Sequence, residues 1–286
     1  MVTRNAAEAR KRECRGISVQ TDSLTGLYWW RPAELLRSGG DAKTSKGESL
    51  GWTTYILYLA PSDLSGRQVC AMASKGCRFA CLFTAGRGGM ATTQLLRLNK
   101  TFYLYEDRDG FLAQLESELD ALNLQARRGK RIAIRLNGTS DLPWHLWLDM
   151  GRWESLVFYD YTKFANRLGH DLAPNYSLTF SRSESNEAQA LDVLRSGGNV
   201  AVVFGDELPA TWHGFPLVQG DAHDLRFLDP KGGHVVGLTA KGSAKGDASG
   251  FVVMGDVGQA WARESERAGR SLPVLATAPV AGGRAA

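Results

Sequence analysis

The sequence predicts an α/β fold, a full or partial (β/α) barrel of parallel strands with a cysteine loop after the first strand. Apolar segments alternate along the chain with segments of helical periodicity, as in a parallel sheet covered by helices. Roughly six or seven such units, without a glycine fingerprint for dinucleotide binding, favour a barrel over a doubly wound sheet. Hydrophobic residues make up 43% of the 286-residue chain, which is enough for a large core.

The strands are predicted where short apolar runs rich in β-branched and aromatic residues end in turn-forming residues. These runs are 52–60, 131–137, 156–161, 176–181, 199–204, 215–218 and 234–238. Helices are predicted where apolar residues recur every three or four positions. These segments are 90–105, 111–126, 145–156, 163–168 and 186–195.

Composition divides the chain into three parts. Residues 1–50 form an N-terminal extension that ends in a flexible segment rich in glycine, serine and lysine. Residues 51–255 contain the predicted strands and helices and form the barrel-like domain. Residues 256–286, rich in alanine, glycine, arginine and proline, are predicted to be a mobile tail.

Three of the four cysteines, Cys70, Cys77 and Cys81, lie close together with the spacing C-x6-C-x3-C. Such a cluster in a long chain does not resemble a disulfide framework and favours metal binding or catalysis. A closed structural zinc site normally has four ligands, whereas an iron–sulfur cluster on three thiolates leaves one iron open. We therefore predict that these three residues bind a metal. Cys14 would join them only by folding back.

Polar side chains follow successive predicted strands, at positions where the loops of a parallel barrel converge on one mouth. Single residues of these types are also ordinary helix caps and turn formers, so the prediction depends on the whole pattern. Arg135 is expected to face the barrel interior, where it needs a counter-charge. Asp141, Asp160 or Asp221 can supply it, as can a carboxylate or phosphate of a ligand.

The order of strand, cysteine loop, helix and repeated strand–helix units resembles the radical S-adenosylmethionine superfamily, whose common cysteine spacing is C-x3-C-x2-C. The resemblance implies that Cys70, Cys77 and Cys81 hold a [4Fe–4S] cluster in residues 51–255. It implies that the open iron binds S-adenosylmethionine and that electron transfer generates a 5′-deoxyadenosyl radical. The candidate cofactor-binding residues are Arg135, Asn137, Thr139, Tyr161 and Ser181.

A second resemblance rests on the segments 43–51, 158–163 and 175–181. They are similar to a protein family seen in bacteriophages and prophages, over most of residues 40–255. That family carries no established activity to transfer.

The formal net charge of +4 and the pI of about 8.9 are compatible with a nucleotide or nucleic-acid partner. Four cations near predicted strand ends add to this expectation: Lys163, Arg182, Arg226 and Lys241. The sequence shows no apolar run of membrane-spanning length and no signal peptide, so no membrane partner is expected. We expect a cytoplasmic protein, in a bacterial host if a phage encodes it.

The function predicted from these patterns is an iron–sulfur enzyme of radical type that acts on a nucleotide or nucleic acid and needs an electron donor. The alternative is a zinc-containing, phage-type nucleic-acid-binding or replication protein. In that alternative Cys14 or His145 is the fourth zinc ligand, and Tyr159 or Tyr161 is a nucleophile that attacks a phosphodiester.

Overall fold

The computed structural model describes residues 2–39, 42–84, 86–169, 172–205 and 207–254 as a mixed α/β fold. Two short strands near the amino end, β1 (Gln20–Thr21) and β2 (Tyr28–Trp29), form a small antiparallel sheet. Ten strands form the main sheet: β3 (Leu36–Ser38), β4 (Trp52–Leu57), β5 (Arg131–Arg135), β6 (Leu156–Thr162), β7 (Tyr176–Ser181), β8 (Val200–Phe204), β9 (Thr211–Trp212), β10 (Phe215–Gln219), β11 (Val235–Thr239) and β12 (Val252–Val253). The helices are α1 (Val2–Glu13), α2 (Ala42–Ser49), α3 (Lys75–Phe79), α4 (Ala91–Glu106), α5 (Arg108–Arg127) and α6 (Glu187–Arg195).

The main sheet is parallel except at its two margins. Its strand order is β3-β4-β5-β6-β7-β8-β11-β10-β9, and only the pairs β3–β4 and β9–β10 are antiparallel. The α/β class and the cysteine loop after the first parallel strand are thus confirmed. Within the described ranges β3 and β9 do not pair, so the sheet does not close into the full barrel that was one form of the prediction.

Strand β8 has two different neighbours along one edge. Its first residues, Val200 and Ala201, pair with the end of β7. Val203 and Phe204 pair instead with β12. The chain therefore returns, after β11, to complete the sheet where β7 and β8 diverge.

The two faces of the sheet have different cover. Ile132 and Ile134 of β5 pack into the main core with residues of α4 and α5. Ala133, which points the other way, packs with Tyr159 and Leu225. The face of the sheet that carries Ala133 is therefore covered by the segment after β10, which contains Leu225, rather than by a long helix.

Two predicted elements differ from the observed structure. The predicted helix 145–156 is wrong, because only short 3-10 turns occur at Trp144–Leu146 and Met150–Arg152. The Asp149 side chain accepts a hydrogen bond from the Gly151 amide at 3.1 Å, a local turn that competes with a helix. In place of the predicted helix 163–168, the structure has only a 3-10 turn, Ala165–Arg167.

The described part of residues 1–50 lies against the main domain. Trp29, Leu35 and Leu36 belong to the same core as α4 and α5. The predicted mobile tail, 256–286, lies outside the described residues. In the described ranges no helix combines the length and the apolar character needed to cross a membrane.

Candidate functional site

A cavity of about 260 Å³ lies at the carboxyl ends of the parallel strands. All the predicted metal-binding and cofactor-binding residues line it: Cys70, Cys77, Cys81, Arg135, Asn137, Thr139, Tyr161 and Ser181. They come from the cysteine loop after β4 and from the ends of β5, β6 and β7. The chemical roles given to these residues stay predictions.

The cysteine loop is held in place by contacts with distant segments. Ser74 caps α3 by accepting a hydrogen bond from the Cys77 amide at 3.1 Å. Glu184, which follows β7, accepts hydrogen bonds from the Ser74 hydroxyl at 2.7 Å and from the Gly76 amide at 2.8 Å. Glu184 thereby fixes the helix that carries Cys77 against the end of the sheet.

The thiols of Cys70 and Cys81 are largely withdrawn from solvent. Burial raises the pKa of Cys70 to about 12, and the neighbouring Cys81 and Cys77 add to the rise. Burial also raises the pKa of Cys81. Backbone hydrogen bonds from Ser62 and Phe83 act in the opposite direction, on Cys70 and Cys81 respectively. The thiols are therefore close enough for one to affect the pKa of another. The sulfurs of Cys70 and Cys81 also accept backbone hydrogen bonds.

Arg135 faces the sheet interior, as predicted, but its counter-charge is Asp224. The Arg135 Nη1 donates to Asp224 Oδ2 at 2.7 Å, and the Tyr161 hydroxyl donates to Asp224 Oδ1 at 3.1 Å. The guanidinium carbon also lies 4.8 Å from the centre of the Tyr161 ring. Of the aspartates expected to balance this charge, Asp141 and Asp221 pair with other cations, and Asp160 forms no ion pair with Arg135 but lies within range of its charge.

Those partners are specific. Asp141 pairs with Arg167 at 2.8 Å, and Asp221 pairs with Lys241. Asp160 accepts hydrogen bonds from the Asn137 amide at 2.7 Å and from the Tyr176 hydroxyl at 3.2 Å. Burial raises the pKa of Asp160 to about 7.

Asn137 and Thr139 organise the turn after β5. The Asn137 Oδ1 accepts from the Ser140 hydroxyl, the Leu142 amide and the Trp144 indole at 2.8 to 3.0 Å. The Thr139 hydroxyl donates to the Leu59 carbonyl at 2.5 Å, and the Thr139 carbonyl is 3.6 Å from the Cys70 sulfur. These two side chains thus have internal partners as well as positions on the cavity wall.

Lys163 lines the cavity but was not among the predicted site residues. It follows β6 and donates from Nζ to the Ser181 hydroxyl at 2.7 Å. Only 8% of Lys163 is exposed. The sequence had singled it out as a cation near a strand end, because it comes directly after a predicted strand, but not as a cofactor-binding residue.

The arrangement does not supply the fourth ligand of the zinc alternative. Cys14 is exposed, and neither Cys14 nor His145 lines the cavity that contains the other cysteines. His145 lines a second cavity instead. Across the described residues, no three His, Cys, Asp or Glu side chains are grouped as ligands of one metal ion.

The two tyrosines considered as nucleophiles lie in the interior. Tyr159 is fully buried, and its hydroxyl donates to Asp224 at 3.3 Å. Burial is the main cause that raises the pKa of both Tyr159 and Tyr161, and the Asp224 charge adds to it. A buried phenol of this kind is a weak nucleophile.

The four cations near the strand ends do not form one basic surface. Arg182 and Arg226 are buried and pair with Glu187 and Asp229. Lys163 and Lys241 both line the cavity. Of these four cations, the two lysines are therefore the ones that a ligand in the cavity would meet.

Comparison with known proteins identifies the family but no activity. No curated protein and no solved structure matches this chain. A family model described as "Gene product 88" matches residues 34–255, more than two thirds of the chain. This match gives no support for the resemblance to the radical S-adenosylmethionine superfamily. The chain belongs to this phage-type gene-product family, which agrees with the prophage resemblance of the sequence.

Proposed function

We propose that this protein is an iron–sulfur enzyme of the radical S-adenosylmethionine type that acts on a nucleotide or nucleic acid in the cytoplasm of a bacterial host. The observation that carries the proposal is the position of Cys70, Cys77 and Cys81 on one cavity at the carboxyl ends of parallel strands. Active sites of parallel α/β folds lie at this end of the sheet.

Three thiols on one cavity wall are the donor set of a cluster that leaves one iron open. A single zinc ion needs its sulfur ligands about 2.3 Å away in one tetrahedron, and no such group occurs in the described residues. In a four-iron cluster each cysteine binds a different iron, so the sulfurs do not have to converge on one point. Burial raises the pKa of Cys70 and of Cys81, so metal binding would displace their protons, and the backbone hydrogen bonds to both sulfurs act in favour of the thiolate.

The chain would hold the cluster through Cys70, Cys77 and Cys81, and Glu184 would keep the middle ligand in position through α3. When bound, such a cluster supplies the electron that cleaves S-adenosylmethionine. Arg135 lines the cavity, and its buried Nε has no hydrogen-bond partner among the described residues.

The substrate class is supported by charge. The net charge of the chain is +4, and the cavity wall carries three cations, Arg135, Lys163 and Lys241, against two carboxylates, Asp141 and Asp221. Cationic side chains in a partly enclosed cavity favour anionic ligands such as nucleotides.

The first test is metal analysis of protein purified without oxygen. We expect about four iron atoms per chain, matching sulfide, and visible absorbance that bleaches on reduction. Cys77→Ala should lose the iron and the absorbance. Cys14→Ala is the matched control, because Cys14 is exposed and lies outside the cavity, and it should retain both.

Two results would contradict the proposal. One is a colourless wild-type protein with about one zinc per chain, which would favour the zinc alternative. The other is an iron-loaded protein that, with a reductant, fails to release 5′-deoxyadenosine from S-adenosylmethionine. The first result would contradict the proposed iron–sulfur cluster, and the second would contradict the proposed reaction with S-adenosylmethionine.

A further inference from the structure

Three cations line the cavity, and one of them, Lys163, forms no ion pair within the described residues. The acidic residues on its wall are Asp141 and Asp221, which pair with Arg167 and Lys241. Arg135, also on the wall, pairs with Asp224. Lys163 is left, and among the described residues its ammonium makes no ion pair and donates only to the neutral Ser181 hydroxyl.

Lys163 is held at this place by the fold. Its backbone amide donates to Asp141 Oδ2 at 2.8 Å, which fixes the chain directly after β6. The neighbouring strand β7 ends at Ser181, whose hydroxyl accepts from Nζ at 2.7 Å. The side chain is thus anchored at both ends on the cavity wall, and its rotamer freedom is already lost before a ligand binds.

Lys163 has both polar and apolar neighbours. Its charge acts to lower the pKa of the Asp141 carboxyl and of the Cys81 thiol, so both groups lie within electrostatic range. The Phe251 ring centre lies 5.9 Å from Nζ. A charge as buried as that of Lys163 is costly unless it is paired, and an anion binds more strongly there than at an exposed lysine.

We propose that Lys163, held by Ser181, is the anion-binding group of the cavity and takes a carboxylate or phosphate of the substrate. The assignment of this anion to a substrate rests on the proposed function. The binding of an anion at Lys163 does not, because it requires neither a cluster nor a reaction.

Binding of inorganic phosphate and of acetate, measured by calorimetry on anaerobically purified protein of known metal content, tests the proposal and separates the two kinds of anion. We expect at least one of them to bind the wild type. Lys163→Met should weaken that binding about tenfold or more, because the charge-assisted hydrogen bond is lost. Lys130→Met removes the same charge from an exposed lysine outside the cavity, and should change the affinity less than about twofold.

Thermal unfolding shows whether Lys163→Met is folded, so that a loss of anion binding is not mistaken for a loss of the fold. Without added anion, Lys163→Met should unfold at a temperature equal to or higher than wild type, because it replaces an unpaired buried charge by an apolar chain of similar length. The binding anion should then raise the unfolding temperature of wild type and of Lys163→Arg, but not that of Lys163→Met.

Three results would overturn the proposal. In the first, neither anion binds the wild type. In the second, the anion binds Lys163→Met as tightly as it binds the wild type. In the third, Lys163→Met loses affinity for S-adenosylmethionine, or loses iron, while anion binding is unchanged, so that the lysine serves the cofactor or the thiols. Because metal content is measured separately, a protein without a cluster that still binds an anion through Lys163 would refute only the proposed function.

Discussion

At the scale of single residues, Arg135 shows what a sequence pattern can and cannot establish about a buried charge. Alternation with apolar neighbours predicted correctly that Arg135 faces the interior and needs a partner. The partner, Asp224, lies 89 positions away in the chain. It reaches Arg135 because the segment after β10 crosses the face of the sheet that carries both Ala133 and Arg135. The sequence suggested Asp221, three positions before Asp224, so the pattern indicated the right segment but not the residue.

Asp160 is a second residue whose properties depend on burial. It is 1% exposed on β6, and burial raises its pKa to about 7. In the unfolded chain the same carboxyl loses its proton near the usual value of 3.8. The folded state therefore binds the proton more tightly. The resulting contribution to stability is present below about pH 4 and is lost as the pH rises through about 7.

We predict that Asp160→Asn removes this part of the pH dependence. Between pH 5 and pH 8 the free energy of unfolding of wild type should fall by roughly 2.5 kcal/mol more than that of the variant, since one pKa unit corresponds to about 1.4 kcal/mol. The asparagine can still accept from the Asn137 amide and meet the Tyr176 hydroxyl. Urea unfolding at both pH values measures the difference. Equal slopes in the two proteins would show that Asp160 does not titrate in this range.

At the scale of elements, strands were easier to predict than helices. The predicted strand 176–181 matches β7, because its apolar residues and its polar end are local features. Helix α2 falls in a segment predicted to be flexible. A Cβ at Gly47 would lie 3.6 Å from both Leu225 and Thr54, so this helix packs closely on β4 and the segment over it. Such packing stabilises a helix of weak intrinsic propensity, and a local pattern does not contain it.

The turn after β5 depends on a close approach of the chain to itself. A Cβ at Gly138 would lie 2.6 Å from Ile56 Cγ2 and 2.7 Å from the Leu57 carbonyl oxygen. Gly138 therefore lets the turn that carries Asn137 and Thr139 lie directly against the end of β4.

We predict that Gly138→Ala lowers the free energy of unfolding by about 2 kcal/mol, because backbone atoms must move to admit the methyl group. Gly246→Ala is the control, since a Cβ there meets nothing within 4 Å, and its stability should stay within about 0.5 kcal/mol of wild type. Urea unfolding compares the three proteins. A Gly138→Ala protein as stable as the control would mean that the turn does not need this contact.

At the scale of the whole molecule, the cavity combines segments from most of the described chain. The cysteine cluster was evident in the sequence because its members are neighbours. Lys163, Glu184 and Phe251 are brought to it only by the sheet order and by the return of the chain to β8. The predicted site residues therefore meet at one cavity, while the contacts that fix them depend on tertiary structure.

The returning segment is attached to the sheet through Arg182. This arginine is 7% exposed, and its Nη1 donates to the carbonyls of Gly250 and Phe251 at 2.5 and 2.9 Å. Beyond them, the Gly205 amide donates to the Val253 carbonyl at 3.0 Å. One side chain thus supports the part of the cavity wall that contains Phe251.

We predict that Arg182→Met loosens this segment without unfolding the protein. Hydrogen exchange of the amides of 251–253 and of Gly205 should become about tenfold faster or more, while β5 keeps its protection, because local opening costs less than global unfolding. Arg195→Met, at an exposed arginine of the adjacent helix α6, is the control and should leave these amides unchanged. Unchanged exchange in Arg182→Met would show that the other contacts of the segment, pairing with β8 and the bond from the Val252 amide to Asp247, are enough to hold it.

The double pairing of β8 also sets an order of events during synthesis. The cysteines, at 70–81, leave the ribosome long before β12, whose residues Val252 and Val253 pair with β8 beyond the point where β7 ends. Until β12 has been made, the chain lacks Phe251 and Val252, which pack with Cys77 in the folded protein. The cover of Cys77 is therefore complete only after nearly all of the family-matched region, 34–255, has been synthesised. We expect a group that binds Cys77 to reach it more readily before that point than after.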